Sequence, residues 1–259
     1  MQPELALSII ITTHNRPKHL KALLERLLPF AGDFELIVAC DGDVVPTELL
    51  APFTATLTYL QIPATGGPAT GRNIGLDRCR GRYVLFCDDD DLLEPEWVKF
   101  LIGEHLPKGR LLYSNYRVMR GESHDLAKSQ VVKFIDLGAY TSRHLQVSNN
   151  IPVGAFAVDR EETRQVRFLN RLQTHADWDY LLQVRSKLTM EHVAMPGVAI
   201  FLKPQLANTQ ESRNYQNVAM HPFDYLALYR LNPSSDGEVA RARSGVLGKY
   251  GLTVPPEAL

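Results

Sequence analysis

Hydrophobic positions in the first hundred residues follow two alternating patterns. Residues 5–13 (LALSIIITT) are β-branched and almost continuously apolar, as a parallel strand covered on both faces requires. Leu20, Leu23, Leu24, Leu27 and Leu28 then recur at i, i+3, i+4, i+7 and i+8, the stripe of an amphipathic helix. Residues 34–40 (FELIVAC) and a weaker run over 55–62 read as the second and third strands, and residues 68–78 as a helix. Residues 82–87 (RYVLFC) make a fourth strand, and Pro95 suits the first turn of a further helix, where its missing N–H costs nothing. This alternation predicts a parallel sheet with right-handed crossovers, whose ligands bind beyond the carboxyl ends of the strands. Polar clusters lie at three such ends: residues 12–15, 41–43 and 88–91.

The second half is less regular. Residues 111–119 and 130–135 read as strands joined by a polar loop, and residues 149–158 (NNIPVGAFAV) as a turn leading into another. Helices are expected over 159–165, 175–187, 223–230 and 236–250, the last capped by Asp236. No linker or repeat divides the chain. A single α/β domain is expected, in two halves, residues 1–110 and residues 111–259.

Composition narrows the function classes. Lys and Arg number 28 against 29 Asp and Glu, a formal net charge of -1, without the basic excess that nucleic-acid binding needs. Arg241, Arg243 and Lys249 read as the solvated face of a terminal helix. The three cysteines, Cys40, Cys79 and Cys87, lack metal-ligand spacing and are expected to be inert thiols in a reducing compartment. The first residues lack a basic and then long apolar leader, and no run of about 18 apolar residues occurs, so a cytoplasmic protein is expected.

Four consecutive aspartates, Asp88, Asp89, Asp90 and Asp91, end the fourth strand. Left bare, such carboxylates repel one another and raise each other's pKa, whereas a hard divalent cation with a substrate phosphate relieves the conflict. A solvated acidic turn is the alternative reading of the run taken alone. Asp41-Gly42-Asp43, likewise, reads alone as a plain turn.

Taken together, LSIIITTHNR at residues 7–16, ACDGD at 39–43, GGPATGRNIGL at 66–76 and GRYVLFCDDDDLLEPEW at 81–97 resemble family 2 glycosyltransferases, in the family's order and spacing. A weaker match continues through NNIPVGAFAVDRE at 149–161 and HADWDYLLQV at 175–184. The resemblance implies a GT-A fold, an inverting, metal-dependent sugar transfer from a nucleotide-diphosphate donor, and UDP as the commonest nucleotide. It places Thr12, Thr13, His14 and Arg16 around the base and ribose, and Asp41 on the base N–H. Arg72 and Asn73 would steady the nucleotide pocket and the acidic loop, with Asp88 and Asp89 near the ribose. It further places Asp90 on a Mn²⁺ or Mg²⁺ ion and His221 as a further ligand. Asp177 falls on the family's catalytic base, although Ala176 stands where a glutamate is usual. Trp178 is either an acceptor platform or a core residue. The acceptor class implied is a glycan or a lipid-linked oligosaccharide met at the inner membrane face.

Two other readings compete. A dinucleotide-dependent oxidoreductase would need G-x-G-x-x-G after the first strand, where His14-Asn15-Arg16-Pro17 stands instead. A non-catalytic nucleotide-sugar binder on the same fold is suggested by Ala176 alone.

Overall fold

The first strand, β1 (Leu7–Thr13), is buried along its whole length between β2 (Glu35–Cys40) and β4 (Tyr83–Asp88), both parallel to it. β3 (Leu57–Gln61) adds the parallel edge. This computed structural model describes residues 5–63, 67–103, 106–172, 175–202 and 221–259, without the side chain of His221. α1 (Pro17–Leu27) is an expected helix, the short α2 (Thr47–Leu50) between β2 and β3 is one that the hydrophobic pattern does not predict, and α3 (Gly67–Arg78) is again expected. In α1 four of the five predicted stripe residues, Leu20, Leu23, Leu24 and Leu27, enter the core, whereas Leu28 lies past the helix end and is exposed.

Beyond β4 come the two-residue β5 (Leu92–Leu93), α4 (Pro95–Leu101), β6 (Arg110–Arg120) and β7 (Gln130–Ile135). Then follow α5 (Ser142–Val147), β8 (Phe156–Asp159), the single turn α6 (Arg160–Thr163), α7 (Ala176–Arg185) and β9 (Thr189–Leu202). Two helices, α8 (His221–Leu231) and α9 (Gly237–Lys249), end the described chain. Among the described residues the strand order is β3-β2-β1-β4-β8-β6-β9-β5, with β7 paired to β6. β8 runs antiparallel between β4 and β6, so strands from both halves of the sequence interleave in one sheet.

Close approach of α3 to β1 depends on Gly75, where a Cβ would lie 2.6 Å from Ile10 Cγ2. That contact lowers the helix onto the strand and carries Arg72 toward the strand ends. The opposite, amino-terminal edge of the sheet holds a buried carboxylate too, but a fully occupied one. Glu35 accepts from Ser8 Oγ at 2.6 Å, Arg80 N at 2.6 Å and Arg80 Nε at 2.8 Å. A charge so completely partnered is structural.

Three expectations need correction. β9 spans 14 residues over which the hydrophobic pattern predicts no strand. The helix expected over 159–165 is the four-residue α6. Of the two readings of Trp178 the core one holds: it is wholly buried, and its indole N–H donates to Leu145 O at 2.6 Å. Arg243 is not on a solvated face; it is completely buried over the Tyr229 ring and donates to the carbonyls of Gln146, Asn232 and Leu259. The guanidinium satisfies orphan carbonyls at the ends of α5 and α8, which is why a cation can be buried there. The three cysteines are buried free thiols, as expected.

Candidate active site

Parallel pairing of β1 with β4 sets Thr12 opposite Asp88. Thr12 Oγ1 donates to Asp88 Oδ1 at 3.1 Å, and Arg72, 6 % exposed, donates to the same oxygen at 2.5 Å from α3. One residue on, Thr13 Oγ1 donates to Asp89 Oδ2 at 2.6 Å. Arg16 NH1 spans the run, 3.2 Å from Asp89 Oδ1 and 2.8 Å from Asp90 Oδ2. Thus the ends of two neighbouring strands, the loop after β1 and the helix beneath converge on three aspartates.

The loops after β1 and β2 are locked to one another. Asn15 adopts a left-handed conformation (φ 53°), and its Oδ1 accepts the amide of Asp43 at 2.6 Å. Gly42 is required under it, since a Cβ there would collide with Asn15 Oδ1. Asn is among the few residues that tolerate this backbone region. His14 Nδ1 pairs with Asp41 Oδ1 at 2.9 Å, so the expected base-binding carboxylate stands directly beside the exposed imidazole.

The aspartates are chemically distinct. Asp89 is 2 % exposed, and burial pushes its carboxyl up from 3.8 to about 6 against the opposing pull of Thr13 and Arg16. The side chains of Asp88 and Asp90 are 35 % and 20 % exposed. Hard carboxylate oxygens that reach solvent, backed by a buried acid and a guanidinium, form a donor set that fits Mg²⁺ or Mn²⁺. Arg16 supplies positive charge beside Asp89 and Asp90, carboxylates that a divalent ion would share with it. Asp91 serves the sheet instead, because its Oδ1 accepts the Phe201 amide at 3.2 Å and anchors the end of β9.

Asp89 should make stability pH-dependent. The folded chain holds its proton more tightly than the unfolded chain does. Its contribution is therefore favourable below about pH 4 and is lost as pH rises through about 6. The accumulated loss at neutral pH is on the order of 3 kcal/mol. Asp89→Asn is expected to flatten the melting temperature between about pH 4 and pH 7 in metal-free buffer. Identical slopes for variant and wild type would refute the assignment.

A model of the family described as "Glycosyl transferase family 2" matches residues 8–165. The chain is a family 2 glycosyltransferase. An uncharacterized glycosyltransferase of Haemophilus influenzae is 27 % identical over 207 residues, 75 % of this chain and 79 % of the relative. Staphylococcus aureus TarS (residues 1–349), solved with UDP-GlcNAc, superposes with a TM-score of 0.62 at 17 % identity, covering 94 % of this chain and 72 % of that one. This glycosyltransferase spans 43 % of the longer TarS chain. Glucosyl-3-phosphoglycerate synthase of Mycobacterium tuberculosis, solved with Mn²⁺, UDP and glucosyl-3-phosphoglycerate, gives 0.57 at 17 % identity, covering 90 % and 84 %. These likenesses establish the GT-A fold.

The remaining site candidates of this glycosyltransferase are placed differently. Asn73 turns away from the acidic run and clamps the backbone of Phe168, donating to its carbonyl and accepting its amide, both at 2.9 Å. Phe168 lies under the Arg72 guanidinium, 5.3 Å from it, and stacks on Tyr180 at 4.1 Å. Tyr180 meets Phe86 of β4 edge-on at 5.4 Å. Asp177 sits one turn before Tyr180, in the first turn of α7, and Asn149 Nδ2 donates to its Oδ2 at 3.1 Å. Asn149 is itself fixed by the amide and carbonyl of Ile151. Thus Asn73, Phe168, Tyr180 and Asn149 position Arg72 and Asp177. Of these four, sequence reasoning reaches only Asn73, through its place beside Arg72; the others are uncharged residues whose parts depend on distant partners. The His221 side chain lies outside the described residues.

Proposed function

We propose that this glycosyltransferase moves a sugar from a UDP-sugar to a hydroxyl of a glycan or lipid-linked acceptor, with inversion at the anomeric carbon. The convergence of Thr12 and Arg72 on Asp88, beside the buried Asp89, carries the reading: it builds a rigid acidic edge where strand ends open to solvent. The UDP-GlcNAc complex of TarS and the Mn²⁺–UDP complex of the mycobacterial synthase support the donor class.

Asp88 and Asp90 would hold a divalent ion, Mn²⁺ or Mg²⁺, with His221 as a further candidate ligand. Such an ion supplies Lewis-acid stabilisation of the charge that develops on the departing diphosphate. Asp41 would accept the ring N–H of uracil, with Thr12, Thr13, His14 and Arg16 lining the base and ribose. Arg72 holds Asp88 in place. Asp177, oriented by Asn149, would take the proton of the acceptor hydroxyl as its oxygen bonds to the anomeric carbon and the bond to the diphosphate breaks. Among the described residues no helix is long and apolar enough to cross a membrane, so a lipid-linked acceptor would be met at the bilayer surface.

The test is a thermal-shift screen of nucleotide sugars with Mn²⁺, followed by NMR of the anomeric proton of the product. UDP-sugars are expected to raise the melting temperature, and an α-linked donor to give a β-linked product. A retained α configuration, or stabilisation only by donors of another base, would overturn the corresponding part.

A further inference from the structure

Among the described residues, one cluster outside the acidic run has the composition and spacing of a transition-metal site. His19 stands in the first turn of α1, and Glu122 and His124 in the connection between β6 and β7. One ligand atom from each can be chosen so that all lie within 4.8 Å of one another. His19 Nε2 and Glu122 Oε2 are 3.6 Å apart, long for a hydrogen bond. It matches the edge of a tetrahedron about Zn²⁺, about 3.3–3.6 Å for metal–ligand bonds of about 2.0–2.2 Å. The His124 ring stands edge-on to that of His19, with centroids 4.5 Å apart.

The other face of His19 is also engaged. Its Nδ1 is 2.8 Å from Ser123 Oγ, and Ser123 is only 1 % exposed. In the tautomer whose Nδ1–H donates to Ser123 Oγ, Nε2 presents its lone pair on the side of Glu122, the orientation usual for metal-binding histidines. The connection bearing the other two ligands is also pre-formed. Ser129 Oγ donates to the carbonyls of Glu122 and Asp125 and accepts the Glu122 amide, and Gly121 turns at φ 126°. Below it, Glu94 is gripped by Arg26 of α1 and Arg117 of β6, at 3.0 and 2.5 Å. Helix and hairpin are thereby held in register before any ion arrives.

We infer that His19, Glu122 and His124 form a site for Zn²⁺ or a similar borderline cation, distinct from the acidic run at the end of β4. Three protein ligands leave a fourth position for water. Imidazole favours Zn²⁺, Co²⁺ or Ni²⁺ over Mg²⁺, so a pair of histidines selects such ions in the presence of Mg²⁺. A bound ion would cross-link α1 to the β6–β7 hairpin, only three residues after Arg16 grips the acidic run. The inference does not depend on the identity of donor or acceptor.

The test is calorimetric titration of the full chain with Zn²⁺ in excess Mg²⁺, alongside visible spectroscopy with Co²⁺. One site per chain and the absorption of four-coordinate Co²⁺ are expected. His124→Ala and Glu122→Gln, both solvent-reaching positions, should weaken Zn²⁺ by more than about 100-fold, and Ser123→Ala by about tenfold. UDP affinity in Mn²⁺ should stay unchanged in His124→Ala, which also reports that the variant is folded. Zn²⁺ binding that survives both ligand substitutions, or an octahedral Co²⁺ spectrum unaltered by them, would overturn the site.

Discussion

Asp177→Asn is expected to lower the rate of sugar transfer by about 10²–10⁴-fold while leaving UDP affinity unchanged. The amide is nearly isosteric with the carboxylate but cannot accept the proton of an acceptor hydroxyl. Asn149 holds Asp177 by a single bond to Oδ2, a contact that an asparagine oxygen can keep. The substitution therefore removes basicity with little change of shape. The measurement is release of UDP from the donor in the presence of acceptor, with calorimetry of UDP as the control. Because Ala176 replaces the usual glutamate of this motif, the result also separates an enzyme from a binder. Transfer that persists in Asp177→Asn would move the general base elsewhere. Equal inactivity of wild type and variant across donors and acceptors would favour the binding-protein reading.

Asp90→Ala is expected to abolish the dependence of UDP binding on Mn²⁺. Wild type should bind UDP at least about tenfold more tightly with Mn²⁺ than without it, an enhancement of about 1.4 kcal/mol, and the variant should show no enhancement. The fold should survive, since the Asp90 side chain is partly exposed and the buried bonds of the region belong to its neighbours. Removing the carboxylate also releases Arg16 from one of its two aspartates. A thermal melt run beside the calorimetry separates a lost site from a lost fold. Metal-dependent affinity equal to wild type would exclude Asp90 as a ligand.

How far the molecule can be read from its residues alone differs by region. β1 and α1 are legible because each buries its own periodic residues: a continuous apolar run and an i, i+3, i+4 stripe report burial locally. β9 is not. Pro196-Gly197 interrupts its pattern, and much of the strand is only half-buried. Its pairing to β6 tolerates the break through shifts of register around Asn115. That accommodation depends on a partner some eighty residues earlier. Arg243 misleads for a similar reason, since the carbonyls that make its burial possible come from Gln146, Asn232 and Leu259. The His19 cluster joins His19 to residues 103 and 105 positions further on, and Glu122-Ser123-His124 alone is too short a pattern to mark a site.

By itself the sequence determined that a mostly parallel sheet would form, that polar residues would gather at its carboxyl edge, and that the chain would resemble family 2 glycosyltransferases. These properties follow from residue type and short-range spacing. Only the tertiary structure decided the separate characters of Asp88, Asp89, Asp90 and Asp91, which are chemically identical along the chain. Thr13, 76 positions away, draws Asp89 inward; Arg72 pins Asp88; Arg16 reaches Asp90; and Phe201 takes Asp91 for the sheet. Burial and pKa are set by neighbours in space, and identical carboxylates differ only through them.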